Sequence, residues 1–231
     1  RVLFRSPDVA VPLRTGVRIS GRVEFNGSIP PPTPEQMSSI GITVEPADGR
    51  SSALGATVRG RVEADGSFTT LGVAAGKYLL RVTAPGQWAL RGAFANGQDI
   101  SDTAIELDQN DASGVLIRFT DQVAGIQGTV AEANGQPDAG AAVLLFPTDR
   151  SGWTATGSAP RRLRNVRVNA DGSYSIANVP PGEYYIAAVS DASSGDWPSV
   201  DFLTAASRIA TRISVQEGEK KTQSLQVGAA R

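Results

Sequence analysis

An internal repeat of about 106 residues is the feature that most constrains the fold of this 231-residue chain. Residues 64–68 (ADGSF) recur at 170–174 (ADGSY), and residues 76–78 (GKY) recur at 182–184 (GEY), both at an offset of 106. Because a near-constant offset extends over most of both halves, we predict two copies of one module. The boundary between them falls near residues 120–124.

Apolar residues recur at every second position within each copy. Val17, Ile19 and Val23 alternate with polar residues, as is typical of a half-buried strand. Residues 142–146 are apolar at successive positions, which predicts a strand covered on both faces. Only residues 199–206 have the spacing of a short helix.

Turn-forming dipeptides separate these runs and accept the positive φ of tight hairpins. They are Asn26-Gly27, Asp65-Gly66, Asn96-Gly97, Asn134-Gly135 and Asp171-Gly172. Many short strands with frequent turns are typical of antiparallel sandwiches. We therefore predict an all-β chain with an extended segment at 1–16, one β-sandwich module at 17–122 and a second at 123–231. An insertion at 28–37 with four prolines is expected to form an extended edge loop.

A series of motifs in the second copy resembles the carboxypeptidase regulatory-like domain. In chain order these are GTV at 128–130, NGQP at 134–137, the apolar run 139–145, ADGSYSI at 170–176 and VPPGEY at 179–184. The resemblance covers essentially all of 123–231. The first copy is a more diverged version, with VAAG at 73–76 in place of VPPG.

This resemblance implies two tandem, seven-stranded, transthyretin-like (prealbumin-like, Ig-like) antiparallel sandwiches, related to the Cna-B-type modules of surface proteins. The family's motifs build turns and direct aromatic rings into the core, and they have no catalytic content. Similar modules form stalks and decorations of large secreted or outer-membrane bacterial proteins. We therefore expect a stalk, a spacer or a subunit of a surface assembly, in an extracellular or cell-envelope location. Its partners would be other protein chains or other modules of a larger parent protein, whose signal peptide is not present in this chain.

The composition excludes several kinds of chemistry. The chain has no His and no Cys, which removes the Ser-His-Asp triad, the Cys-His pair, His- or thiolate-bound metals and disulfides. The net charge is −1, divided evenly between the halves, so we expect no nucleic-acid partner. No apolar run reaches the roughly 20 residues that span a bilayer, so we expect no membrane insertion. We expect no enzyme activity, with catalysis by carboxylates alone as the remaining alternative.

We also expect no cofactor and no metal. One stretch is rich in carboxylates that Ca²⁺ accepts as ligands, but it lacks the spacing of an EF-hand, so turn capping is the favoured role. Its acidic residues are Asp99, Asp102, Glu106, Asp108 and Asp111.

Four residues of the second copy are candidate contacts for a ligand or a partner. Trp153, in a polar loop, is suited either to stacking on a sugar or peptide or to folding back on its own module. Arg161, Arg162 and Arg164 belong to a basic cluster that ends at Arg167. The cluster is suited to gripping a carboxylate or phosphate, or it forms the solvated face of a strand. A carbohydrate- or peptide-binding module, with glycan as a possible partner, is therefore the second functional hypothesis.

The N-terminal segment has apolar residues suited to a strand. They are Val2, Phe4, Val9, Val11 and Leu13. The segment is expected either to complete a preceding module or to add as a strand to the sheet edge of a neighbour.

Overall fold

The computed structural model describes residues 16–48, 58–154, 157, 160–190 and 197–228. The strands up to residue 120 are β1 (Ile19–Asn26), β2 (Gly41–Pro46), β3 (Val58–Val62), β4 (Ser67–Thr70), β5 (Gly76–Thr83), β6 (Ala89–Ala95), β7 (Gln98–Asp99), β8 (Ile105–Leu107) and β9 (Ala112–Thr120). Those that follow are β10 (Gly125–Ala131), β11 (Ala141–Pro147), β12 (Arg164–Arg167), β13 (Ser173–Ala177), β14 (Gly182–Ser190), β15 (Thr211–Val215), β16 (Lys220–Thr222) and β17 (Leu225–Gly228). The helices are α1 (Pro34–Met37), a 3₁₀ turn (Arg150–Trp153) and α2 (Val200–Ile209).

The strands form two sheets with related topology, which confirms the all-β prediction. The first sheet has the order β7-β6-β9-β1-β4-β3-β2-β5-β8. The second has the order β12-β11-β14-β17-β10-β13, with β15 beside β14 and β16 beside β10. The described strands therefore number nine in the first sheet and eight in the second, whereas the resemblance implies seven in each. The difference arises because the β6–β7 hairpin is additional in the first sheet, and because β16 and β17 are two parts of one interrupted last strand in the second.

The first and last strands of each sheet run parallel, although most other pairs are antiparallel. A glycine lies where they approach most closely. A Cβ at Gly21 would lie 1.7 Å from the carbonyl oxygen of Val115, and one at Gly128 would lie 1.9 Å from that of Gln223. Both sites therefore require glycine, and the two copies repeat the same close approach.

The predicted two-sided burial of residues 142–146 is confirmed. Val143 and Leu145 face the hydrophobic core that the second sheet encloses. Leu144 points to the opposite face of the strand, into a separate cluster on the outer side. Helix α2 covers that outer side with Leu203, which is fully buried. The prediction of a helix near 199–206 is thus confirmed, and Ser199 caps its first turn by accepting a hydrogen bond from the amide of Phe202.

The turns follow the sequence closely at two equivalent positions. Asp65 accepts hydrogen bonds from the amide and hydroxyl of Ser67, and Asp171 does the same with Ser173. Phe68 and Tyr174, which come next in the chain, are each 2% exposed. The Asp-Gly turns therefore direct an aromatic ring into each core, as the motif implied.

The 28–37 insertion contains a helical turn, so the prediction of an entirely extended loop is wrong there. Thr33 and Gln36 form a capping box, and Pro34 begins α1. The start of the insertion is held by Asp121, whose carboxylate accepts hydrogen bonds from the amides of Ser28 and Ile29. The hydroxyl and amide of Ser28 are the main reasons that the pKa of Asp121 falls to about 2.

Candidate functional site

Trp153 packs against its own module. Its side chain is 3% exposed, and the ring centroid lies 5.7 Å from that of Phe146 in an edge-on arrangement. Its Nε1 donates a hydrogen bond of 2.8 Å to the carbonyl oxygen of Pro147, and the guanidinium of Arg150 lies over the ring. Stacking on a ligand would require the ring to be uncovered first.

Arg161 and Arg162 contact a carboxylate of the first sheet. Nε and Nη2 of Arg161 donate to the two carboxylate oxygens of Asp102 at 3.0 and 2.9 Å, a bidentate pair. Nε of Arg162 donates to Oδ2 of the same carboxylate at 2.9 Å. Asp102 lies just after β7, so these bonds join the β6–β7 hairpin to the loop that precedes β12. We call Asp102, Arg161 and Arg162 the junction cluster.

The junction cluster is shielded from water and electrostatically favourable. The side chains of Asp102, Arg161 and Arg162 are 26%, 17% and 31% exposed. Burial acts to raise the pKa of Asp102, but the hydrogen bonds and charges of the two arginines outweigh it and hold that pKa below its ordinary value. Asp102 is therefore ionised at neutral pH.

Arg162 also connects the cluster to the core of the second sheet. Its Nη1 donates to the carbonyl oxygen of Pro181 at 3.2 Å and to the hydroxyl of Tyr184 at 3.3 Å. The Tyr184 side chain is fully buried, and its hydroxyl donates to the carbonyl oxygen of Pro180 at 2.7 Å. Burial raises the pKa of this phenol. The VPPGEY motif thus supports the arginine that reaches across to Asp102.

Further contacts connect the two sheets around this cluster. Nη1 of Arg161 donates to the carbonyl oxygen of Leu90 in β6 at 3.2 Å. Arg91 pairs with Glu217 at 3.2 Å, in a more exposed position. Gly157 lies so close to Glu45 in β2 that a Cβ there would be 2.6 Å from its carboxylate oxygen. Gly157, in the connection between β11 and β12, therefore lies against the first sheet.

Arg164 belongs to the same region but differs from its neighbours. Its side chain is half-buried, and among the described residues it makes no hydrogen bond or ion pair. The three candidate arginines thus lie together, and the structure gives partners to two of them. The remaining sequence candidates, Val2, Phe4, Val9, Val11 and Leu13, lie outside the described residues.

The acidic stretch of the first copy stabilises turns and strand ends. Asp99 accepts hydrogen bonds from the amide and hydroxyl of Ser101, and Asp111 accepts one from the amide of Arg18. Within the part of the chain that the structure describes, no group of three or more acidic side chains is arranged to hold a metal ion.

A groove of about 500 Å³ on the first sheet runs between β1 and the start of β9. Arg22, Glu24 and Asp65 line it, and Glu24 is already paired with Arg118. The groove is thus lined by charges of both signs. Of the helices in the described ranges, none has the length and apolar character needed to span a membrane.

Sequence reasoning did not find Asp102 as the partner of the arginines. It lies 59 residues before Arg161, just after the extra hairpin, and was grouped with the other acids of its stretch. A single sequence carries no signal that relates these positions.

Comparison with known proteins gives remote structural neighbours. The Bacillus anthracis TIE protein has 13% identity and a TM-score of 0.26, over 92% of this chain and 34% of that chain, so this chain spans about a third of that protein. Shaft pilin SpaA from Lactobacillus rhamnosus GG has 10% identity and a TM-score of 0.29, over 94% of this chain and 98% of that one. GBS52, the minor pilin of Streptococcus agalactiae, has 10% identity and a TM-score of 0.36, over 91% and 94%.

No curated protein matches the sequence. The carboxypeptidase regulatory-like domain family does match, over residues 125–227. That range begins with β10 and ends within β17, so it takes in every strand of the second sheet. The part of the chain that forms the second sheet therefore matches the carboxypeptidase regulatory-like domain family.

Proposed function

We propose that this chain is a non-enzymatic structural spacer, made of two sandwich modules at 17–122 and 123–231 that are held in one relative orientation. The junction cluster is the observation that carries this proposal. Two arginines of one sheet converge on one carboxylate of the other, with little exposure to water. Such bidentate, charge-assisted bonds fix geometry as well as adding stability.

The character of the described polar groups supports a non-enzymatic role. The absence of His and Cys from the whole sequence already removes the commonest nucleophile–base pairs. The pKa of Asp121 is lowered to about 2 by its hydrogen bonds to the loop that it holds, which is a structural role. The junction cluster, in which two arginines share the carboxylate of Asp102, joins two sheets.

The setting that we propose is the outside of a bacterial cell or its envelope, within a larger protein or assembly. The partners would be other protein chains or neighbouring modules, with residues 1–16 continuing a preceding module or adding to the edge of another sheet. The match of residues 125–227 to the carboxypeptidase regulatory-like domain family supports this proposal, because the resemblance implies modules of bacterial surface proteins. Protease treatment of intact source cells, with a cytosolic protein as control, tests the location.

Binding of a carbohydrate or peptide through Trp153 and the strand beginning at Arg161 is less well supported. Trp153 is buried, and Arg161 is occupied by Asp102. A glycan array with the intact chain tests this alternative, and binding at any spot would revive it.

Backbone ¹⁵N relaxation measured on the chain in solution tests the spacer proposal. If the junction is rigid, amides of both sheets report one overall rotational correlation time, appropriate to the full 24.1 kDa. Separate and shorter correlation times for 17–122 and 123–231 would contradict the proposal, because they would mean that the modules tumble independently.

A further inference from the structure

Arg164 occupies a position that the fold reserves for an apolar residue. It is the first residue of β12 and pairs with Leu145, whose side chain lies in the core of the second sheet. The equivalent position in the first sheet is Val58, which begins β3, pairs with Val44 and packs against the first core. An arginine therefore replaces a core-facing valine at the end of the sandwich that faces the first sheet.

The Arg164 guanidinium has no partner among the described residues. Its Nε is completely buried and makes no hydrogen bond, which is rare because an unsatisfied buried donor is destabilising. Burial, followed by repulsion from Arg161, lowers the pKa of Arg164, while Tyr184 and Asp102 offset part of this effect. The group nevertheless stays charged at neutral pH, since an arginine does not lose its proton in a protein.

The nearby carboxylate is already engaged. The two oxygens of Asp102 accept three hydrogen bonds from Arg161 and Arg162, and none comes from Arg164. Asp102 interacts electrostatically with Arg164 as well, and Asp99 acts on Arg162, so three guanidinium groups face two carboxylates and one positive charge is left over. The two terminal nitrogens of Arg164 make no hydrogen bond to described residues, yet only its Nε is fully enclosed. These terminal nitrogens therefore retain some exposure, in agreement with the half-buried state of the Arg164 side chain.

We propose that the junction binds an oxyanion, a carboxylate or a phosphate group, through the free guanidinium of Arg164. The planar fork of donors matches two oxygens of either group, and the neighbouring Arg161 adds favourable charge. The anion would pair with the terminal nitrogens, because Nε is completely buried and cannot be reached from solvent. This inference goes beyond the spacer proposal, because the modules can be rigidly joined whether or not an anion is bound.

The test is a titration of the ¹⁵N-labelled chain with sodium acetate in one arm and sodium phosphate in the other, at constant ionic strength set with chloride. The Arg164 Nε–H signal and the amides around Tyr184 are expected to shift along a saturable curve. The arm with the stronger binding identifies the preferred oxyanion. A linear drift equal to that in chloride would overturn the proposal.

Arg164→Met keeps the aliphatic stem and removes the charge, so the saturable shift at the remaining signals should weaken by at least about tenfold. Arg164→Lys keeps the charge without the fork, and it should bind more weakly than the native chain. Arg208→Met, at an exposed arginine of α2, is the charge-matched control and should leave binding unchanged. Undiminished binding in both Arg164 variants would overturn the assignment. If Arg164→Met does not fold, the Lys variant alone decides.

Discussion

Replacing Asp102 by alanine should destabilise the chain far more than an ordinary surface substitution. The change removes the single carboxylate that accepts three hydrogen bonds from Arg161 and Arg162. It leaves both guanidinium groups in place, at 17% and 31% side-chain exposure, with no other carboxylate of the described residues at ion-pair distance. The folded state is therefore destabilised mainly because two partly buried cations keep their desolvation cost without a carboxylate to offset it.

The size of the effect follows from the degree of burial. Removing one member of a fully buried ion pair destabilises by about 3–5 kcal/mol, whereas an exposed pair contributes about 0–1 kcal/mol. Asp102, at 26% side-chain exposure, lies between these limits. We expect the free energy of unfolding to fall by about 2–3 kcal/mol. Glu217→Gln, which breaks the more exposed pair with Arg91, should change it by less than about 1 kcal/mol.

Urea unfolding measures both variants, with tryptophan fluorescence as the signal. Trp88 reports on the first core, and Trp153 and Trp197 report on the outer cluster of the second sheet. Loss of the junction should also separate the transitions seen by the two sets of reporters. The reasoning is refuted if Asp102→Ala and Glu217→Gln lower the stability equally, or if the Asp102 variant unfolds at the native midpoint.

Three further predictions concern contacts within one half of the chain. The carboxyl carbon of Asp121 should titrate near pH 2 by NMR, and the backbone amides that it holds should be released as the pH falls through that value. Its lowered pKa stabilises the fold fully above the ordinary value of 3.8, and this stabilisation is lost as the pH falls from 3.8 to about 2. Tyr184→Phe should lower the free energy of unfolding by about 1–2 kcal/mol, because it removes a buried hydrogen bond. The equivalent Tyr78→Phe should lower it by less, since the Tyr78 hydrogen bond is exposed, and equal losses would contradict this reasoning. Leu203→Ala should lower the free energy of unfolding, measured with heat or urea, by about 2–5 kcal/mol. The control Val200→Ala, at an exposed position of α2, should lower it by less than about 0.5 kcal/mol, and equal effects would mean that the helix does not cover the sheet.

The parts of the fold that depend on local pattern could be predicted from the sequence. Residues 142–146 are apolar at successive positions, and the structure covers both faces of that strand. Helix α2 has both its apolar spacing and its Ser199 cap in the sequence. The signal for α1 was also present, because Thr33 and Gln36 have the spacing of a capping box with Pro34 at the first helical position.

The junction could not be predicted in the same way. Asp102 and Arg161 are separated by 59 residues, and neither has a residue pattern that indicates its partner. The burial of Trp153 depends on Phe146 and on the Pro147 carbonyl, whose positions follow from the course of the loop and not from its composition. Contacts of this kind are determined by tertiary packing, which a single sequence does not show.

The central claim is that the two modules keep one relative orientation because of the junction cluster. The chain has no cysteine, so nitroxide labels can be attached at Thr69→Cys and Ser175→Cys, two exposed and equivalent positions on β4 and β13. Pulsed electron–electron double resonance then gives the distribution of distances between the two modules. We predict one narrow distribution in the otherwise native chain, which broadens when Asp102→Ala is added. A broad distribution in the native chain, or one that Asp102→Ala leaves unchanged, would contradict the account.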